Sequence, residues 1–175
     1  MATNVFFCYH HESDSWRVNQ VIQHWLMNPA HKAHGYIDID EYEEIKSQGE
    51  EAIKKWVDEQ LKDTTVTVVL IGSNTSESSF AKYAIKKSME KPGGVERGFM
   101  GIHINRIKNE EMERDDKGVD PLENFYWKDK DNKITFISDK YLTYDWFDDK
   151  GQINIQTWVN YAEAIAQGRM EKAIE

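Results

Sequence analysis

The stretch Thr65-Val66-Thr67-Val68-Val69-Leu70-Ile71 is an unbroken run of β-branched and aliphatic residues, closed by Gly72-Ser73-Asn74-Thr75. It carries no polar alternation, so neither face of the strand it forms can meet water. Strands buried on both faces belong to parallel sheets covered by helices. Two other runs share this character: Val5 to Tyr9 (VFFCY) upstream and Phe99 to Asn105 (FMGIHIN) downstream.

Between these runs the pattern becomes helical. Ser13 and Asp14 offer N-cap oxygens before Trp16, Val18, Val21, Ile22, Trp25 and Leu26, an apolar stripe of helical period. Gly35 precedes Tyr36-Ile37-Asp38, which reads as a short second strand ending in a carboxylate. The acidic, weakly periodic segment Ile39 to Gly49 reads as a loop, and Ile53, Trp56, Val57 and Leu61 mark the inner face of the helix after it. A further helix from Ser78 to Glu90 turns Phe80, Ala84, Ile85, Ser88 and Met89 inward and stops at Lys91-Pro92-Gly93-Gly94.

Residues 109–132 form a charged excursion anchored by Phe125, Tyr126 and Trp127. Ile134 to Ser138 (ITFIS) reads as the fifth strand, and a closing helix carries Trp158, Ala162, Ile165 and Ala166. The alternation of strands and helices predicts an α/β, flavodoxin-like fold, with a central five-stranded parallel sheet and helices on both faces. At 175 residues and 39% apolar content, one domain over 1–175 is expected.

The 22 Lys and Arg against 31 Asp and Glu give a net charge of −9, which opposes binding to a phosphate backbone. Nucleic acid is therefore not expected as a partner, and an anionic small molecule would need local donors. The lone Cys8 excludes an internal disulfide. The first residues lack the basic start and apolar run of a signal peptide, and no stretch approaches the roughly 18 apolar residues of a membrane span. A cytoplasmic protein without membrane attachment is expected.

Ligands of open parallel sheets bind beyond the carboxyl ends of the strands. The candidates there are Tyr9, His10, Asp38, Ser73 and Asn105. Gly72-Ser73-Asn74-Thr75 lacks the further glycines and the lysine of a phosphate-cradling loop. The six histidines fall at no zinc spacing, so no metal is expected. Each candidate also has a structural reading. Tyr9 and Phe80 could be core aromatics, Cys8 an inert thiol, Asp38 a cap, Asn105 a turn residue, and Asp40 to Glu44 a solvated surface.

Three stretches together resemble the TIR fold and, within it, the ThsB TIR proteins of bacterial Thoeris anti-phage defence. They are Val5-Phe6-Phe7-Cys8-Tyr9-His10, Val69 to Ser73 with the helix Phe80 to Glu90, and Gly101-Ile102-His103-Ile104-Asn105. The resemblance implies an enzyme that consumes NAD as substrate without a further cofactor. It releases nicotinamide and makes a cyclic ADP-ribose-type signal that activates a separate effector. The family's catalytic element is an aromatic residue followed four positions later by glutamate. Phe80 stands at the first position and Ala84 at the second.

By the same resemblance, Phe80 walls the nicotinamide side, position 84 holds the ribose, and Tyr9, His10 and Asp38 shape the pocket mouth, with Ser73 and Asn105 also toward substrate. Self-association through TIR contacts is implied, the loop Ile39 to Gly49 of a neighbouring subunit completing the pocket. A methyl group cannot stabilise an oxocarbenium-like sugar, so alanine at 84 implies a nearly inactive chain. Either a deliberate Glu-to-Ala change or a natural TIR that binds without catalysis accounts for it; the intact surroundings favour the first. A non-catalytic TIR adaptor working by homotypic contacts is the alternative from another class. A phosphoacceptor receiver domain shares the fold but needs an acidic pair after the first strand, where Tyr9-His10-His11-Glu12 supplies one acid.

Overall fold

The computed structural model describes residues 3–172. Its elements are, in chain order, β1 (Asn4–Cys8), α1 (His11–Leu26), β2 (Lys32–His34), α2 (Ile39–Ser47), α3 (Glu50–Leu61), β3 (Val66–Ile71), α4 (Ser79–Ser88) and β4 (Gly98–His103). Then follow β5 (Tyr126–Lys128), β6 (Ile134–Phe136), the single turn α5 (Ile137–Lys140), β7 (Thr143–Asp145) and α6 (Gly151–Ala166). Five strands form one sheet in the order β2-β1-β3-β4-β7, every neighbouring pair parallel. This is the doubly wound, flavodoxin-like arrangement, and the strand order reverses between β1 and β3.

Every residue of β3 and β4 is buried, and in β1 only Asn4 keeps partial exposure. Helices must therefore cover both faces. α6 lies across β3 and β4 with α1 beside it, while α4 lies against β1 and packs on α3. Cys8 is fully buried with its Sγ 3.8 Å from the Ala81 carbonyl oxygen, and burial pushes its thiol up to about 12. Among the described residues no helix is long and apolar enough to cross a membrane.

Four local expectations need correction. The second strand is Lys32–His34, ahead of Gly35 rather than behind it. Gly35 has φ +77°, a left-handed turn that ends pairing with β1, and its N–H donates to Gln60 Oε1. The segment read as a loop, Ile39 to Gly49, is mostly helix α2. Asp38 caps it by accepting from the Glu41 N–H at 2.9 Å, and Asp40 and Glu41 sit favourably in its positive first turn. Only Tyr42 of this helix is buried, which is why it carries no apolar stripe.

The fifth strand of the main sheet is β7, not Ile134 to Ser138. Residues Ile134–Phe136 pair antiparallel with β5 in a separate hairpin, which turns where the Asp129 carboxylate accepts from the Asp131 and Lys133 N–H groups. The hairpin is docked by the Trp127 indole N–H, which donates to the Met89 carbonyl at 3.1 Å. The cap of α1 also differs: the His10 ring accepts from the Ser13 N–H at 3.2 Å.

β4 and α6 approach at Gly98, where an added Cβ would stand 2.5 Å from the Ala162 carbonyl oxygen. Backbone cannot give way as a side chain can. Gly98→Ala is expected to destabilise the fold by about 2 kcal/mol through overpacking, read as a lower urea midpoint. Gly168→Ala, with no neighbour within reach of the added Cβ, separates its own backbone strain at φ +72° from this clash.

Candidate active site

Where the strand order reverses, an open cavity of about 330 Å³ lies beyond the ends of β1 and β3. Its walls come from four neighbouring segments: His10 and Glu12 at the start of α1, Tyr42 and Lys46 from α2, Glu50, Ile53 and Lys54 from α3, and Glu77 to Phe80 with Tyr83 from α4 and its approach. Ser78 caps α4 by accepting from the Ala81 N–H at 3.1 Å. The positive end of that helix therefore faces the cavity, where an anionic group is stabilised.

An aromatic layer lies at the inner side. His11, 1% exposed, is stacked on Tyr42 at 4.1 Å, meets Phe80 edge-on at 4.8 Å and packs against Tyr9 at 4.0 Å. Trp56 completes the layer, 6.1 Å from Phe80. Neither ring nitrogen of His11 has a well-formed hydrogen bond, and burial pushes the imidazole down to about 3, so it is neutral at physiological pH. Two of these rings, Tyr42 and Phe80, also face the cavity and offer flat apolar walls to a planar ligand.

The charged lining is partly paired. Lys46 Nζ sits 2.9 Å from Glu12 Oε1 and His10 Nε2 sits 3.4 Å from Glu12 Oε2. Partial burial raises the Glu12 carboxyl, but the hydrogen bond from Lys46 and its charge outweigh this and hold it below the usual carboxylate range. The Tyr83 hydroxyl donates to Asp58 at 2.9 Å. Glu50 and Lys54 form an exposed pair at 3.4 Å.

Of the residues singled out from sequence, His10 and Phe80 line this cavity. Tyr9 is fully buried behind it, its hydroxyl donating to the Ile37 carbonyl at 3.2 Å, and Asp38 is spent as the cap of α2. Ala84 lies one turn beyond Phe80 with no exposed surface and does not line the cavity. Ser73 and Asn105 stand elsewhere on the same sheet edge, both tied to Asp115: Ser73 Oγ donates to its carboxylate at 2.6 Å and Asn105 Nδ2 to its carbonyl at 3.2 Å.

That second cluster is a closure, built on a buried ion pair. Arg17 Nη1 meets Asp14 Oδ1 at 3.1 Å, while Arg17 Nε and Nη2 donate to the Ile107 and Glu113 carbonyls at 2.7 and 3.2 Å. Burial raises the Asp14 carboxyl against the opposing pull of Arg17. Gly118 packs so closely on Gly72 that an added Cβ would stand 2.0 Å from the Gly72 carbonyl oxygen.

Sequence reasoning missed Tyr42 and Lys46, one turn apart on α2, because the segment was read as a loop. It also left Tyr83 unassigned, and weighed Glu12 only as the single acid after the first strand. The Asp38 cap followed by Asp40 and Glu41 was the signal that could have revealed the helix. Among the described residues, no three His, Cys, Asp or Glu side chains converge as metal ligands.

Comparison with known proteins bears on this region. The model of the family described as "Thoeris protein ThsB, TIR-like domain" matches residues 6–109, which run from within β1 past the end of β4 and include every residue of the cavity. The chain is also 30% identical over 196 aligned positions to a Bacillus cereus (strain MSX-D12) protein named "Putative cyclic ADP-D-ribose synthase ThsB1". That match covers 91% of this chain and all of the relative.

The buried His11 sets an acid limit. Its folded pKa lies below the unfolded value, so below about pH 6.5 the unfolded chain takes up a proton that the folded one refuses. Stability is lost as pH falls from there toward 3, by about 1.4 kcal/mol per pH unit from this group. His11→Phe keeps a ring in the layer and removes the proton, so urea midpoints compared between pH 7 and 4.5 should fall less steeply in the variant.

Proposed function

This chain belongs to the ThsB family of TIR-like proteins, and from that premise we propose that it processes NAD in the cavity between β1 and β3. The observation that carries the reading is Phe80 and Tyr42 as paired apolar walls beside the N-terminus of α4, with Lys46 and Lys54 as cations that exchange Glu12 and Glu50 for the ligand. An acidic chain needs such local donors to hold a dinucleotide at all. The relative's name supports the product class.

In this proposal the nicotinamide ring lies against Phe80 and Tyr42, and the diphosphate lies toward the helix terminus and the lysines. The bond between the nicotinamide nitrogen and the ribose breaks, the electron pair leaving with nicotinamide. A second nucleophile within the same ADP-ribose unit then captures the cationic sugar and closes a cyclic product. Capture by water would give the linear one, so the site must stay dry. The cavity is open on its outer side, and a second copy docking beside α2 is what would close it. The product leaves as a diffusible signal for a separate effector.

A carboxylate is required to stabilise the developing positive charge, and Ala84 supplies none; of the acids that do line the cavity, Glu12 and Glu50 are paired with lysines and Glu77 stands before α4, off the register of position 84. The chain as it stands is then a weak catalyst, slower than its glutamate form by about 100-fold or more. Burial of Ala84 adds a condition: a glutamate there must turn toward the cavity, because an unpaired charge left in the core costs several kcal/mol. That same burial, with Glu12 already paired to Lys46, favours the second reading, a non-catalytic TIR adaptor.

Nicotinamide release from NAD, with product masses recorded, separates the two. Ala84→Glu at high protein concentration is expected to turn NAD over while the parent chain is nearly silent, and Phe80→Ala in that background to lose most of the gain. A folded Ala84→Glu protein that releases no nicotinamide overturns the enzymatic reading in favour of the adaptor.

A further inference from the structure

A second open cavity, of about 440 Å³, lies between the middle of α1, residues 106–114 and Phe147. It is chemically unlike the rest of this acidic surface. Its charged lining is Arg106, Lys108 and Arg114, and no carboxylate lines it, although the chain as a whole carries −9. Arg106 is committed, with Nη2 2.7 Å from Asp145 and 2.6 Å from Asp148, and its guanidinium lies 5.6 Å from the Phe147 ring centre. Lys108 and Arg114, both exposed, have no side-chain hydrogen bond or ion pair among the described residues.

Two large aromatics face this groove while leaving half their surface in water: Trp16 at 51% and Phe147 at 49%. Between them α1 presents two side-chain amides with one function each to spare. Asn19 Oδ1 already accepts from the Tyr36 hydroxyl and the Gln23 amide, which leaves its NH₂ group. Gln20 Nε2 already donates to the Lys108 carbonyl, which leaves its carbonyl oxygen. The loop carrying the cations is held from beneath by the buried Arg17, through the Ile107 and Glu113 carbonyls, so its shape is set before any ligand arrives.

We propose that this groove is a nucleotide site, separate from the NAD cavity and independent of which residue cleaves NAD. The base stacks on the Trp16 indole and is read by the Asn19 and Gln20 amides, while the phosphates take Lys108 and Arg114. Each part of the groove then has a use. An acidic peptide would satisfy the cations alone and leave the indole face and the amide pair idle.

The test is calorimetric titration of the full chain with ADP, inorganic pyrophosphate and a poly-glutamate peptide. ADP is expected to bind Phe80→Ala as tightly as the parent, and about tenfold more weakly to Lys108→Glu/Arg114→Glu and to Trp16→Ala. The two groove variants should keep the parent melting temperature, since each residue they change is exposed, whereas Phe80→Ala removes a buried ring and is titrated well below its own, lower melting temperature. Pyrophosphate should bind about tenfold more weakly than ADP. Four outcomes overturn the proposal. They are no ADP binding, ADP binding that the groove variants leave intact, binding lost only in Phe80→Ala, and pyrophosphate or poly-glutamate matching ADP.

Discussion

β1, β3 and β4 stand side by side with almost no side chain reaching water, and everything else in the molecule answers to that burial. Backbone groups in these strands are satisfied by the parallel ladder, but neither face can end in solvent. Helices therefore close over both sides, α6 so tightly that only a glycine at 98 admits its backbone. Polar chemistry is left no room on the faces and gathers at the strand ends. The carboxyl edge is then divided. Toward β1 it opens into the aromatic-walled cavity, over β3 the chain around Gly118 packs onto Gly72, stiffened by the Asp14–Arg17 pair, and beyond it another hollow lined by His103, Lys117 and Asp145 opens at the ends of β4 and β7.

How much of this could be read from residues alone follows from where the determining partners lie. Thr65 to Ile71 and its two companion runs announce a parallel sheet because burial on both faces writes itself into every residue. Short strands carry no such record. Lys32–His34 is a strand only because β1 lies beside it, and Thr143–Asp145 only because β4 does. Ile134–Phe136 has a better strand composition than either, yet it pairs with Tyr126–Lys128, since a tight turn reaches that partner first. Helix α2 hid for the opposite reason: a cap and favourable first-turn charges hold it, not an apolar stripe.

The site was legible to the same extent. His10 follows from its place at a strand end and Phe80 from the family resemblance, and both line the cavity. Tyr42 and Lys46 depended on recognising α2. Ser73 and Asn105 carry the right chemistry at the right edge, but both are engaged by Asp115, a partner in the charged excursion that no local pattern could have assigned. The position at 84 shows the limit of spacing arguments. Periodicity turns it inward one turn from Phe80, and packing decides that inward means the core and not the cavity.

Cys8 gives this architecture a built-in clock. The thiol sits in β1, flanked by β2 and β3, neither accessible nor ionised in the native state. An alkylating reagent can reach it only when α4 lifts from β1 or the sheet itself parts, because the reactive thiolate needs both exposure and a lower pKa. The rate at which this single sulfur is modified therefore counts openings of the buried centre and ignores fraying at the edges. Any molecule that clamps the ends of β1 and α4 together would slow that count without touching the sulfur.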